Sequence, residues 1–65
     1  MNEIYLAQAA FRLITERRGL IRETLEFDNV KNMEHYKGLM GELKSLDYLE
    51  SEIKNLLDKK EQEEE

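Results

Sequence analysis

The sequence of 65 residues has no cysteine, no proline and a single histidine. Without cysteine, the chain forms neither a disulfide nor a thiolate metal site, and one histidine cannot hold a structural zinc ion by itself. A chain this short buries little apolar surface and usually needs a disulfide, a metal ion or another chain to form a stable fold. Association with another protein is the stabiliser that remains.

The sequence also has no long apolar run and no basic cluster. No stretch approaches the roughly 20 apolar residues of a membrane span, and no basic segment precedes an apolar run as in a signal peptide. The net charge is −5. At about 100° per residue, the arginines of the first predicted helix point in different directions and make no phosphate-binding patch: Arg12, Arg17, Arg18 and Arg22. We therefore expect no direct contact with nucleic acid, no membrane insertion and no small-molecule ligand.

The composition, rich in Leu, Glu, Lys and Ala, favours helix. We predict an all-α fold, a coiled-coil-like antiparallel hairpin with helix 1 over about 2–25, a loop at 26–31, helix 2 over about 32–60 and an acidic tail at 58–65. Asn2 and Asn32 are predicted N-caps, and Asp28-Asn29 supplies the turn. The tail is expected to fray, because its glutamates oppose the helix dipole. Whether the hairpin is closed or opens into one long helix stays open at this point.

The apolar residues of helix 1 fall on two stripes. A coiled-coil-like seam, interrupted by Arg18, is predicted to face helix 2: Ile4, Ala7, Phe11, Ile14, Ile21 and Leu25. A second stripe lies about 100° away: Leu6, Ala10, Leu13 and Leu20. One partner helix covers less than this combined arc. The second stripe therefore predicts either a second interface or a lateral contact in a small bundle.

Helix 2 combines an apolar stripe with a face of small residues. The stripe consists of Tyr36, Met40, Leu43, Leu46, Ile53 and Leu57, flanked by Leu39, Leu49 and Leu56. In the loop, Phe27 and Val30 are expected to close the end of the core. The small residues Gly38, Gly41 and Ser45 share another face. Each glycine inside a helix costs about 1 kcal/mol relative to alanine, so we predict that a partner approaches closely there, with mobile exposed surface as the alternative. Tyr48, near that face, is a predicted interface anchor.

No residue set specifies a chemistry. A catalytic site needs a pocket with converging groups, which a two-helix hairpin does not form. We expect His35 to be a solvated residue of the first helical turn. The sequence predicts no catalytic, cofactor-binding or metal-binding residue, and hence a protein that is not an enzyme.

One stretch resembles a known group of proteins. The segments Lys31-Asn32-Met33-Glu34-His35-Tyr36 and Gly41-Glu42-Leu43-Lys44-Ser45-Leu46 resemble small helical-hairpin proteins encoded by tailed bacteriophages. The matching positions are Asn32, Tyr36, Gly41, Leu43, Ser45 and Leu46. The resemblance implies a structural or assembly component of the phage particle, present in several copies. It would bind itself, a larger phage structural protein or both, in the virion or the host cytoplasm. The alternative is a small acidic regulatory protein that caps the surface of a host or phage enzyme and inhibits it.

Overall fold

The computed structural model describes residues 2–64, with side chains described as far as residue 62. Within this range the chain forms two helices and no strand, α1 (Glu3–Glu26) and α2 (Met33–Glu64). The two helices pack against each other as an antiparallel hairpin. The predicted all-α hairpin is confirmed, and it is closed. Its long axis of 50 Å matches a helix of 32 residues at about 1.5 Å per residue.

Both helices begin where their capping residues predict. The Asn2 side-chain oxygen accepts a hydrogen bond of 2.8 Å from the Tyr5 N–H. The Asn32 side-chain oxygen accepts one of 2.8 Å from the His35 N–H. In return, Nδ1 of His35 accepts a bond of 3.0 Å from the Lys31 N–H, which fixes the chain entering α2. His35 therefore has a local structural role in the first turn of α2, because two of its groups take part in the cap.

Helix α1 ends in a turn built around Asp28. The φ angle of Asp28 is 57°, in the left-handed region. The Asn29 N–H donates to the Thr24 carbonyl at 2.9 Å, and the Asp28 N–H donates to the Leu25 carbonyl at 3.4 Å. This pair of bonds is the Schellman pattern, which satisfies carbonyls that the helix end leaves free. Glycine is the usual residue at the left-handed position, and aspartate tolerates it.

The core is a narrow seam between the helices. Its buried residues are Ala7, Ile14, Ile21 and Leu39, and Ile21 is the most deeply buried at 1% exposure. The predicted seam of α1 is correct except at Ile4, which is 63% exposed. Ile4 lies about 60° from the line of Ala7, at the end of the helix, so it turns away from α2.

The phase of the α2 stripe differs from the prediction near the loop. Leu39 was predicted to flank the stripe and is buried, whereas Tyr36 was predicted to lie on it and is 42% exposed. The two positions are about 60° apart on a helix, and only the one that faces α1 can be covered. Further along, Leu43, Leu46, Ile53 and Leu57 are half-buried, as a stripe facing one neighbour should be.

Two further expectations need correction. Phe27 does not close the end of the core, because it caps α1 with 68% of its surface exposed; Val30 is half-buried. Helix α2 also continues to Glu64 and does not end near residue 60. Glutamate, glutamine and lysine are good helix formers, and no glycine or proline interrupts this segment. The last residue of the predicted acidic tail, Glu65, lies outside the described residues.

Arg18, which interrupts the seam of α1, meets acidic residues of α2. Its guanidinium lies 2.9 Å from a carboxylate oxygen of Asp47 and 3.6 Å from one of Glu50. The Arg18 side chain is only 16% exposed, and its buried Nε atom has no hydrogen-bond partner among the described residues. The cation on one seam therefore matches the anion on the other, which favours this register of the hairpin over a slipped one.

Candidate functional site

The second stripe of α1 remains uncovered in the closed hairpin. Leu6 is 53% exposed, Leu13 is 62% exposed and Leu20 is 55% exposed, while Ala10 is half-buried. Phe27 follows Leu20 by seven residues, the same spacing that separates the three leucines. A seven-residue spacing returns to nearly the same side of a helix. The stripe therefore runs along all of α1 and ends on Phe27.

Helix α2 adds two exposed leucines to the same side of the hairpin. Leu49 is 48% exposed and Leu56 is 64% exposed. Leu56 precedes the seam residue Leu57 by one position, just as Leu13 precedes the buried Ile14. In two antiparallel helices packed against each other, the residues that come one position before a seam residue point to the same side of the helix pair. We call this combined surface the leucine face: Leu6, Leu13, Leu20, Phe27, Leu49 and Leu56.

Ion pairs between the helices cross this side and support the assignment. Arg17 lies between Leu13 and Leu20 on α1, and it donates two hydrogen bonds to the carboxylate of Glu42, one of them 3.0 Å long. At the open end, Lys60 lies 3.3 Å from the carboxylate of Glu3. Between these two pairs, the antiparallel course brings Leu6 to the level of Leu56, and Leu13 to the level of Leu49. Leu6, Leu13, Leu49 and Leu56 therefore share one side of the hairpin between the two ion pairs, and Leu20 and Phe27 continue this side beyond the Arg17–Glu42 pair.

The Arg17–Glu42 pair also determines the charge on this face. The hydrogen bonds from Arg17 lower the pKa of the Glu42 carboxyl below its usual value; partial desolvation opposes this, and the attraction between the charges adds to it. The same hydrogen bonds raise the pKa of Arg17. Both groups are therefore charged at neutral pH and neutralise each other within the chain.

The small residues of α2 lie beside the leucine face. Gly38 and Ser45 alternate with Glu42 and Leu49 at steps of four and three residues, which places them on one side of α2. Gly41 and Tyr48 lie about 60° further round. All four small or aromatic positions are exposed, with Tyr48 at 64%. A methyl group added at Gly38 or Gly41 would meet no atom of the described residues within 4 Å, so packing within the described hairpin does not require these glycines. The same holds for Gly19 of α1.

The structure therefore brings most of the predicted interface residues to one side of the hairpin. Leu6, Ala10, Leu13 and Leu20 lie along α1, with Gly38 and Ser45 across from them, while Gly41 and Tyr48 continue outward on α2. Sequence reasoning missed three members of the leucine face: Phe27, Leu49 and Leu56. The seven-residue spacing from Leu20 to Phe27 and from Leu49 to Leu56 was the signal that could have identified them.

Chemical groups for other kinds of site are sparse in the described part of the chain. No group of three or more His, Cys, Asp or Glu residues there is placed to hold a metal ion. Neither described helix is both long and apolar enough to cross a membrane. Of the four arginines of α1, Arg17 and Arg18 are engaged by acidic residues of α2. An open depression continues the leucine face at its end and is lined by Glu3, Ile53, Leu56, Leu57 and Lys60.

The fold and this surface define a class of protein, an all-α helical hairpin with an uncovered apolar face. Comparison of the chain with protein families, curated proteins and solved structures gives no match.

Proposed function

We propose that this chain is a non-enzymatic protein-binding module, a small structural or assembly component that works by docking its leucine face on protein. The observation that carries the proposal is the exposure of six large apolar side chains on one side of a closed hairpin. An exposed apolar patch that is continuous and bordered by polar residues is typical of an interaction surface. Phe27 and the leucines supply the apolar area, and Ser45 and the glycines leave room for a partner to approach.

A pair of matched variants tests the proposal. Leu13→Glu places a charge in the middle of the leucine face, whereas Ile4→Glu places the same charge on the opposite side of α1, about 180° away. The parent residues are almost equally exposed, at 62% and 63%. We expect Leu13→Glu to abolish co-purification of the bound protein and Ile4→Glu to retain it. Equal retention by both variants would contradict the proposal.

The particular assembly is proposed from the resemblance to tailed-phage hairpin proteins. As a structural component, the chain would be present in purified particles at a fixed copy number, in contact with itself or with a larger particle protein. Quantitative mass spectrometry of purified particles measures this number. Absence from particles, together with recovery of the chain bound to one enzyme, would favour the acidic regulatory protein instead. In that case, removal of residues 62–65 should weaken binding, whereas the structural proposal predicts no effect of the truncation.

A further inference from the structure

We propose that the leucine face closes on a second copy of this chain, giving a two-fold symmetric dimer of hairpins with four helices. The inference rests on the proposed function, because it names a second copy of the chain as the protein that the leucine face binds. In such a dimer each copy contributes the same patch, so the patch must fit itself in area, charge and shape.

The exposed area of the chain is sufficient for such an interface. A compact folded protein of 7.8 kDa exposes about 4,400 Å² according to the size scaling of monomers. This chain exposes 5557 Å², an excess of about 1,200 Å² over that scaling. Each partner in a standard protein interface loses about 800 Å². Covering the leucine face would therefore bring the exposed surface of each copy close to that of an ordinary globular protein.

The charges on the leucine face also permit contact with an identical face. Arg17 is paired with Glu42, and Glu3 is paired with Lys60, in each case within the same chain. These two ion pairs themselves bring no net charge into a contact between two such faces, although the whole chain carries a net charge of −5. A strongly basic or acidic partner would instead find few unpaired charges of the opposite sign here. Charge therefore favours a neutral apolar partner, and a second copy supplies one.

The shape of the face is divided into a bulky half and a small half. Helix α1 presents Leu6, Leu13, Leu20 and Phe27, while the loop-proximal part of α2 presents Gly38 and Ser45. A two-fold axis parallel to the helices places α1 of one copy on α2 of the other. In that arrangement Leu20 lies at about the level of Gly41 and Glu42 of the other copy, with Gly38 and Ser45 one helical turn to either side. Packing within the described hairpin does not require the glycines of α2. Close packing against α1 of a second copy would explain them.

Sedimentation equilibrium of the full-length chain and two variants tests the inference. We expect the wild-type protein and Ile4→Glu to be dimers at micromolar concentration. We expect Leu13→Glu to raise the dimer dissociation constant by at least about 100-fold, because the dimer contains the substitution twice at a buried contact. Circular dichroism at high concentration checks that the variant still forms helix. A wild-type monomer, a larger oligomer, or a dimer that survives Leu13→Glu would overturn the proposal.

Cysteine cross-linking gives a second measurement, which reports the proximity of two positions and not the dissociation constant of the dimer. The chain has no cysteine, so a single introduced thiol reports on one position. A mixture of Leu20→Cys and Gly41→Cys chains should form the mixed disulfide under mild oxidation. A mixture of Ile4→Cys and Gly41→Cys chains should not. Equal yields in both mixtures would overturn the inference. A wild-type monomer that loses a different bound protein on Leu13→Glu would retain the proposed function while rejecting the dimer.

Discussion

Asp28 has a backbone conformation that favours glycine, since its φ angle is 57°. We expect Asp28→Gly to raise the free energy of unfolding by up to about 1 kcal/mol, because glycine adopts the left-handed region without a steric cost. Asp28→Val should lower it by about 1–2 kcal/mol, since a branched side chain is disfavoured there. Urea unfolding at one fixed protein concentration measures both changes. Asn29→Gly is the control and should bring no gain; a gain equal to that of Asp28→Gly would contradict the account of the turn.

Glu42 gives the stability of the hairpin a specific pH dependence. Its carboxyl has a pKa below the usual value, mainly because Arg17 donates hydrogen bonds to it. A lowered pKa in the folded state stabilises the fold above the usual glutamate pKa of about 4.3, and this contribution is lost as the pH falls through the lowered value. We therefore expect the difference in stability between the wild type and Glu42→Gln to disappear on acidification.

The measurement is the midpoint of urea unfolding at neutral pH and at about pH 2.5, well below the usual glutamate pKa. Glu23→Gln is the matched control, because no ion pair of the Glu23 side chain is present in the described part of the chain. A wild-type advantage over Glu42→Gln that is equally large at both pH values would show that the Arg17 contact is not its source.

At the scale of the helices, the seam concentrates stability in a few positions. Ile21 is 1% exposed and Ile4 is 63% exposed on the same helix, so they form a matched pair. We expect Ile21→Ala to lower the free energy of unfolding by roughly 2–5 kcal/mol and Ile4→Ala by less than about 1 kcal/mol. Chemical unfolding at one fixed protein concentration measures both. If the two variants were equally destabilised, the seam would run elsewhere on α1.

Arg18, which interrupts the apolar seam of α1, affects the register of the hairpin as well as its stability. Arg18→Ala leaves Glu50, whose side chain is only 27% exposed, without its partner across the seam. We expect a loss of roughly 1–3 kcal/mol, between the values of exposed and buried ion pairs. Replacing both residues by leucine should restore or exceed wild-type stability, because a well-packed apolar pair avoids the desolvation of two charges. Thermal unfolding of the wild type, Arg18→Leu, Glu50→Leu and the double leucine variant completes a double-mutant cycle that tests the coupling, and additive effects would count against it.

At the scale of the whole molecule, the sequence predicts best what local chemistry determines. The N-caps at Asn2 and Asn32 depend on a side chain and a backbone N–H three residues away, and both are confirmed. The class of fold follows from composition and from apolar spacing, and the closed hairpin agrees with it. The second stripe of α1 is exposed in the hairpin, and its role as an interface remains a prediction.

Features that depend on the relation between the two helices were harder to predict. Tyr36 and Leu39 are both apolar positions of α2, and only the packing of α1 decides that Leu39 is buried. The sequence predicts Phe27 as a loop residue, although its spacing from Leu20 continues the exposed stripe. The acidic charge at the helix terminus predicts an end of α2 near residue 60, whereas the good helix propensity of the tail extends α2 to Glu64. Only the choice between Tyr36 and Leu39 depends on how the two helices pack; for Phe27 and the end of α2 the sequence itself contains the signal.

The concentration dependence of thermal unfolding tests most directly the central claim, that the hairpin is completed by covering its leucine face. If folding and association are coupled, the midpoint temperature depends on protein concentration by mass action. We predict that the midpoint, followed by circular dichroism, rises steadily over a 100-fold range around about 10 µM, a typical working concentration for such association equilibria. Leu13→Glu should flatten this dependence. A wild-type midpoint that is the same at every concentration would contradict the account.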